Sequence, residues 1–181
     1  MLDKKRILES EKNMRNYLEE GLIKRKTFDK NIFRIFMRNS RESLYVANLL
    51  YEKNISSLWS IVCSYYSMYY VSNAILFKLG YKIGEKISHK ICSDALIVFV
   101  RSKLKKSLLE DYENAREESL KLAGLGADEI IESFDFERVK RGNIQYQTTE
   151  EIKKSKAKTS LVRAKKFVFE MEKLLEVIIE Y

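Results

Sequence analysis

The stretch LWSIVCSYYSMYYVSNAILF, residues 58–77, gives the strongest indication of the fold. It carries no charged side chain and is about as long as a membrane-spanning helix. Six serines and two asparagines are nevertheless spread through the uncharged run 54–77. Apolar and small residues on all sides are typical of a helix that neighbouring helices bury, so we reject a membrane span. The sequence therefore predicts a central bundle helix from about Ile55 to Gly80 and no contact with a membrane.

Composition supports an all-α fold. The chain of 181 residues contains no proline and six glycines, and 33% of its residues are charged. Few residues therefore punctuate strands or tight turns, and the abundant Lys, Glu, Leu and Ile favour helices. With 45% hydrophobic residues, the chain can bury one ordinary core.

Apolar spacings of three and four predict further helices on both sides of the central one, and no strand alternation is convincing. Asp3 and Asp29 are candidate N-caps, and Gly21 is a candidate helix end. The predicted helices are Asp3 to about Glu20, Asp29 to about Asn54, a helix with Ser88 as N-cap that reaches Phe99 and continues or restarts through residues 108–124, Asp128 to Val139 after a break at Gly124 and Gly126, and Thr149 to Ile179.

Cysteine and histidine are too few for most metal chemistry. Cys63 and Cys92 lie in apolar contexts, and we interpret them as small buried side chains. The only histidine, His89, stands near a predicted helix start, where it is structural or assists catalysis as the one available imidazole. We therefore expect no metal site and no cofactor. The N-terminal sequence MLDKKRILESEKNM has charges where a signal peptide has an apolar core, so we expect a cytoplasmic protein.

Positive charge is concentrated in two clusters of a chain whose net charge is +8. Such clusters suit RNA or another polyanion, but lysine-rich solvated faces are also common in helical proteins. The first cluster consists of Lys24, Arg25, Lys26, Lys30, Arg34, Arg38 and Arg41, and the second of Lys153, Lys154, Lys156, Lys158, Arg163, Lys165 and Lys166.

Three segments in order resemble the HEPN domain superfamily, in particular its small prokaryotic members. They are residues 41–81, which contain SYYSMYY and LFKLGY, residues 88–99, and KRGNIQYQ (140–147) followed by KAKTSLVRAKKFVFEMEKLLE (156–176). The resemblance covers residues from about 30 to 180. It implies an antiparallel bundle of four or five helices over residues 29–181, with residues 1–28 as an N-terminal helical extension.

The resemblance also implies a function. Many relatives are homodimeric, metal-independent endoribonucleases or toxins, often paired with a minimal nucleotidyltransferase that acts as the antitoxin. The active motif of the family is an arginine followed, after four to six residues, by a histidine. Arg141 matches the arginine, but Tyr146 stands where the histidine is expected. We therefore expect a variant site with Arg141 and Tyr146 as catalytic candidates and Lys140, Asn143, Gln145, Lys153 and Lys154 as nucleic-acid-binding candidates.

The substitution of tyrosine leaves the chemistry open. A tyrosine with an ordinary pKa of about 10 is ionised only about one part in a thousand at neutral pH, so Tyr146 is a poor base. It can still donate a hydrogen bond or a proton, while Arg141 holds a phosphate. In the alternative interpretation, Arg141 and Tyr146 cap a helix and pack on the last one. Similarly, the tyrosines of YYSMYY (65–70) either stack on bases or form core and interface.

Three functions remain possible on this basis. The first is a HEPN toxin or RNA-processing nuclease. The second is a non-catalytic dimeric module that binds a nucleotide, RNA or a nucleotidyltransferase partner. The third is a purely structural dimeric bundle. We expect a homodimer built on the central helix, because that helix has more apolar and tyrosine surface than one small bundle covers.

Overall fold

The computed structural model describes the backbone of residues 2–134 and 143–178 and the side chains of residues 2–123 and 154–178. Most of the described backbone is helical, which confirms the all-α class and the helical bundle. The elements are α1 (Lys4–Glu19), β1 (Ile23–Arg25), α2 (Lys30–Glu52), α3 (Ser57–Lys78), β2 (Tyr81–Ile83), α4 (Ser88–Phe99), a 3-10 turn (Arg101–Lys103), α5 (Lys106–Phe134) and α6 (Asn143–Val177).

Helix α3 is the centre of the bundle, as the uncharged stretch predicts. It packs against α2, α4, α5 and α6, and residues 71–77 are all buried. Two serine hydroxyls join it to α2. The Ser40 hydroxyl donates to the Ser67 carbonyl at 2.8 Å, and the Ser60 hydroxyl donates to the Ala47 carbonyl at 2.9 Å. These hydrogen bonds give both buried hydroxyl groups a partner, and a buried hydroxyl without a partner would destabilise the fold. Within residues 2–134 and 143–178, no helix is both long enough and apolar enough to cross a membrane.

Helix α6 lies between α2 and α5. It runs antiparallel to α2, because Lys165 meets Asn48 and Glu172 meets Arg41. It also runs antiparallel to α5, because Lys156 meets Glu118 while Arg163 meets Asp111. Its inner face carries Ala164, Phe167, Val168 and Met171, all buried in the core that α3 occupies. The last helix is thus an integral part of the bundle.

The predicted helix ends near the N-terminus are confirmed. The Asp3 carboxylate accepts from the backbone N–H of Arg6 at 2.8 Å, and the Asp29 carboxylate accepts from that of Asn31 at 2.7 Å. Both residues are N-caps. Gly21 and Gly80, which follow α1 and α3, have φ values of 69° and 84°. This left-handed conformation favours glycine and ends each helix where the sequence predicts.

Several details of the predicted elements are wrong. The structure contains two antiparallel strands, with Ile23 paired to Ile83. The sequence does not reveal them, because three residues per strand are too few to show alternation. Helix α5 continues through Gly124 and Gly126, since one glycine costs a helix only about 1 kcal/mol. Three helix boundaries also differ: α3 begins at Ser57, α4 takes Ile87 as its N-cap instead of Ser88, and α6 begins at Asn143 instead of Thr149. The side chain of Cys63, which we expected to be buried, is only half-buried.

A buried carboxylate fixes α1 to the bundle. Asp94 on α4 is fully buried and accepts hydrogen bonds from four side chains of α1. The donors are Arg6 (2.6 Å), Ser10 (3.0 Å), Asn13 (3.1 Å) and Tyr17 (3.2 Å). Burial, together with Asp94, raises the pKa of Tyr17 to about 12. Helix α1, which lies in the segment 1–28, is therefore joined to α4 by hydrogen bonds. Its Met14 and Tyr17 side chains belong to the same hydrophobic core as the rest of the bundle.

Candidate functional site

The residues of the predicted Arg-x4-Tyr site lie partly outside the described residues. Lys140 and Arg141 belong to the segment 135–142, about which the structure says nothing. Asn143, Gln145, Tyr146 and Lys153 belong to α6, for which the backbone but not these side chains is described. The motif therefore leads directly into α6, and the role of each side chain stays a prediction.

Lysines continue along α6 after the motif. Lys154, Lys156 and Lys158 are exposed, as are Lys165 and Lys166 two turns later. Lys156 approaches Glu118 at 3.8 Å, and the Lys165 ammonium donates to the Asn48 side chain. Lys154, Lys158 and Lys166 form no ion pair with a residue of the described part of the chain. Arg163 of the same cluster binds Asp111 at 3.1 Å, so this surface of α6 combines paired cations with exposed, unpaired lysines.

The first basic cluster is paired with acids to a similar degree. Arg41 binds Glu172 of α6 at 3.0 Å, and Arg38 lies 3.8 Å from Glu42. The Arg25 guanidinium lies 4.1 Å from the ring centre of Tyr81, which itself stacks on Phe99 at 4.2 Å. The sequence shows one acid within this cluster, but folding brings acids of α6 to it. Lys24, Lys26, Lys30 and Arg34 nevertheless remain exposed and form no ion pair within the described part of the chain, so this cluster can still attract a polyanion.

The single histidine lies in a cluster of tyrosines between α3 and α4. The Nδ1 atom of His89 and the Tyr65 hydroxyl are 2.8 Å apart, and the His89 ring centre lies 4.5 Å from that of Tyr69. Burial, and to a smaller degree the charge of Arg116, lower the pKa of His89. The imidazole is therefore neutral at pH 7, and its Nδ1 is engaged within the bundle.

This cluster also decides part of the interpretation of YYSMYY. Tyr65 and Met68 are fully buried, while Tyr66, Tyr69 and Tyr70 are half-buried and pack on one another with ring centres 5.6–6.2 Å apart. The core interpretation holds for Tyr65 and Met68. Burial raises the pKa of Tyr65 well above its usual range, so this hydroxyl stays protonated and able to donate. The partnership of Tyr65 with His89 has no signal in the sequence, since 24 residues separate them.

The lowered pKa of His89 predicts a specific dependence of stability on pH. The unfolded chain binds a proton to this imidazole more readily than the folded protein does, starting at its ordinary pKa of 6.5. The free energy of unfolding should therefore fall as the pH drops from about 6.5 to 5, and it should fall less in a His89→Gln variant. Urea titrations at several pH values measure both slopes. Parallel curves for the two proteins would contradict the assignment.

Comparisons with known proteins identify no relative. No family model, no curated protein and no solved structure matches this chain. Functional arguments therefore rest on the residues themselves.

Proposed function

We propose that the protein is a cytoplasmic, HEPN-like, RNA-acting component of a toxin and nucleotidyltransferase pair, and that it contacts RNA through the N-terminal half of α6. One observation supports this proposal above the others. Helix α6 is continuous from Asn143 to Val177, so the motif residue Tyr146 and the exposed lysines 154, 156 and 158 belong to one rigid element. Lys154 and Lys158 share one side of this helix and Lys156 lies on the other side, near Glu118, so an RNA strand that crosses the exposed surface of the helix can contact all three.

The chemistry of this site suits binding better than fast cleavage. Metal-independent RNA cleavage needs a base for the ribose 2′-hydroxyl, an acid for the leaving oxygen and a cation for the phosphate. In the proposal, Arg141 holds the phosphate, Tyr146 donates to it, and Asn143 and Gln145 orient the nucleotide. A tyrosine supplies no efficient base at neutral pH. Any cleavage should therefore be slow, and binding is the primary expected activity.

A non-catalytic module is the second candidate function, and the position of His89 favours it. The one imidazole of the chain lies on α4 with its Nδ1 bound to Tyr65, and α6 contains no histidine. Such a module would hold RNA, a nucleotide or a partner nucleotidyltransferase without turnover. Incubation of the protein with total RNA in EDTA separates the two functions. Cleavage that Arg141→Ala abolishes supports the nuclease, whereas intact RNA supports the module.

Replacing Lys154, Lys156 and Lys158 together with glutamine should weaken RNA binding and its dependence on salt. The slope of log K against log salt should become shallower by about 2, because three fewer phosphate contacts release fewer counterions from a single strand. Fluorescence anisotropy with a labelled RNA oligomer at several salt concentrations measures this slope.

The matched control replaces Lys4, Lys5 and Lys12 of α1 with glutamine. These three lysines are also exposed, so the net charge changes equally. If the two triple variants lose the same affinity, the net charge attracts RNA and α6 is not the binding surface. If neither the natural protein nor the variants bind RNA at low salt, the proposed function is wrong.

We also propose a homodimer, with a smaller contact surface than the sequence predicts. The four neighbouring helices of the same chain cover most of α3, but a stripe with Trp59, Tyr66 and Tyr70 keeps partial exposure, which reaches 49% at Trp59. Aromatic side chains of this type are typical of interfaces.

The change Trp59→Glu should convert the dimer to a monomer. Glutamate at this position follows the N-cap Ser56 by three residues and completes a capping box, so the helix itself should stay stable. Sedimentation equilibrium at tens of micromolar measures the mass. A species of 21.4 kDa for the natural protein would contradict the dimer, and a dimeric variant would contradict the stripe.

A further inference from the structure

A groove lies between the N-terminal half of α2 and the C-terminal end of α6. Its volume is about 570 Å³. Phe33, Met37 and Leu175 form an apolar base, and all three are at least partly buried in the core. The ammonium of Lys78 closes one end by donating to the Leu175 carbonyl at 2.8 Å. The groove is therefore apolar at its base and open to solvent above.

Apolar side chains extend this groove along both helices. On α2, Tyr45 is 69% exposed and Leu49 is partly exposed one turn later. On α6, Val162 and Phe169 are both more than half exposed and are separated by two turns. Two contacts join the helices, Arg41 with Glu172 and Asn48 with Lys165. The result is a two-helix surface with an apolar row on either side, here named the α2–α6 surface.

The charges that border this surface are predominantly positive. The cations on it or beside it outnumber the acids by seven to four: Arg34, Arg38, Arg41, Lys78, Lys165, Lys166 and Lys173, against Glu42, Glu170, Glu172 and Glu176. The Arg38 and Arg41 side chains are about two-thirds exposed, so both can reach a second partner. This excess of cations over acids favours a ligand with more acidic than basic side chains.

We propose that the α2–α6 surface binds an acidic amphipathic helix of a partner protein. A helix placed over two antiparallel helices can insert its apolar stripe into the groove between Tyr45 and Phe169. Its acidic flanks then meet Arg38 and Arg41 on one side and Lys166 and Lys173 on the other. This contact goes beyond the proposed function, because it concerns the C-terminal half of α6 and not the lysines that follow Tyr146.

The composition of the surface argues against other occupants. A second copy of the chain would bring a second predominantly positive surface against the first, and like charges in contact oppose association. RNA would make use of the arginines but not of Val162 or Leu49, which have neither charge nor an aromatic ring. An anionic membrane would be attracted by the same cations, but a flat surface would not reach the recessed apolar base at Phe33, Met37 and Leu175.

Site-specific photo-cross-linking in cells that naturally produce the protein tests the proposal. A photoreactive amino acid replaces Tyr45 or Phe169, and Leu8 of α1 serves as the control because it is 55% exposed, as is Phe169. We expect both surface positions, but not Leu8, to capture one protein in a segment rich in Asp and Glu with apolar residues at helical spacing. Capture of a second copy, of RNA, of lipid, of a basic segment or of nothing above the Leu8 control would overturn the proposal.

The captured segment then provides a quantitative test as a synthetic peptide. Its affinity for the natural protein should exceed that for the Arg38→Glu/Arg41→Glu variant by at least about tenfold, because both arginines face its acidic side. Both side chains are largely exposed, so the variant should fold, and its melting temperature confirms this. Equal affinity for the two proteins would overturn the role of these arginines. RNA binding should be retained in this variant, which separates the result from the proposed function.

Discussion

Replacing Asp94 with alanine should lower the free energy of unfolding by about 3–5 kcal/mol, since it removes one partner of a buried ion pair. Arg6, whose Nη1 lies 2.6 Å from Asp94, keeps only its second carboxylate, Glu113. Tyr17 and Asn13 lose their hydrogen-bond acceptor, and a donor that is shielded from water and has no acceptor destabilises the folded state. Urea denaturation followed by circular dichroism measures the change.

A surface ion pair provides the control for this prediction. Asp111 binds Arg163 at 3.1 Å, but both side chains are at least about one quarter exposed to solvent. The change Asp111→Asn should therefore cost less than about 1 kcal/mol. If the two variants lose similar stability, Asp94 is not the residue that fixes α1 to α4.

Truncating Phe167 should have an effect of similar size for a different reason. Phe167 is fully buried on the inner face of α6 and packs on Tyr112, with ring centres 5.4 Å apart. The change Phe167→Ala should cost about 3–5 kcal/mol, because it removes buried apolar area and leaves a cavity.

Phe169, two residues further along the same helix, is a matched control. Its ring is 55% exposed and lies 4.2 Å from the Lys173 ammonium. The change Phe169→Ala should alter the free energy of unfolding by no more than about 0.5 kcal/mol. A larger cost for Phe169 than for Phe167 in the same denaturation experiment would reverse the assigned faces of α6.

Local signals in the sequence predict much of this fold. The N-caps Asp3 and Asp29 and the helix ends at Gly21 and Gly80 each depend on a few adjacent residues, so they can be read directly. The uncharged stretch 58–77 predicts the central helix for the same reason. Burial is a local property when every residue of a helix is apolar or small.

Features that join distant segments could not be predicted in this way. Asp94 is a charged residue in an otherwise apolar helix, and only the fold brings Arg6, 88 positions away, to its carboxylate. Strands β1 and β2 are separated by two whole helices, so their pairing leaves no pattern. Gly124 and Gly126 predict a helix end that does not occur. The free-energy cost of a glycine inside a helix is smaller than the gain from continuing α5.

The candidate site divides along the same line. The order of Arg141, Tyr146 and the lysines of α6 is visible in the sequence. The start of α6 at Asn143 is not, because Thr149 is a good N-cap candidate and places the predicted start six residues too late. The α2–α6 surface depends on Glu172 meeting Arg41 and has no sequence signal at all.

Mapping of RNA photo-cross-links shows directly whether RNA lies along the N-terminal half of α6. Ultraviolet irradiation of the complex, digestion after glutamate and mass spectrometry identify the peptides that carry nucleotides. Two of these peptides cover the site, residues 138–150 and residues 152–170. We predict that nucleotide adducts concentrate in these two peptides, whereas adducts confined to α1, or spread evenly over the exposed lysines, would contradict the account.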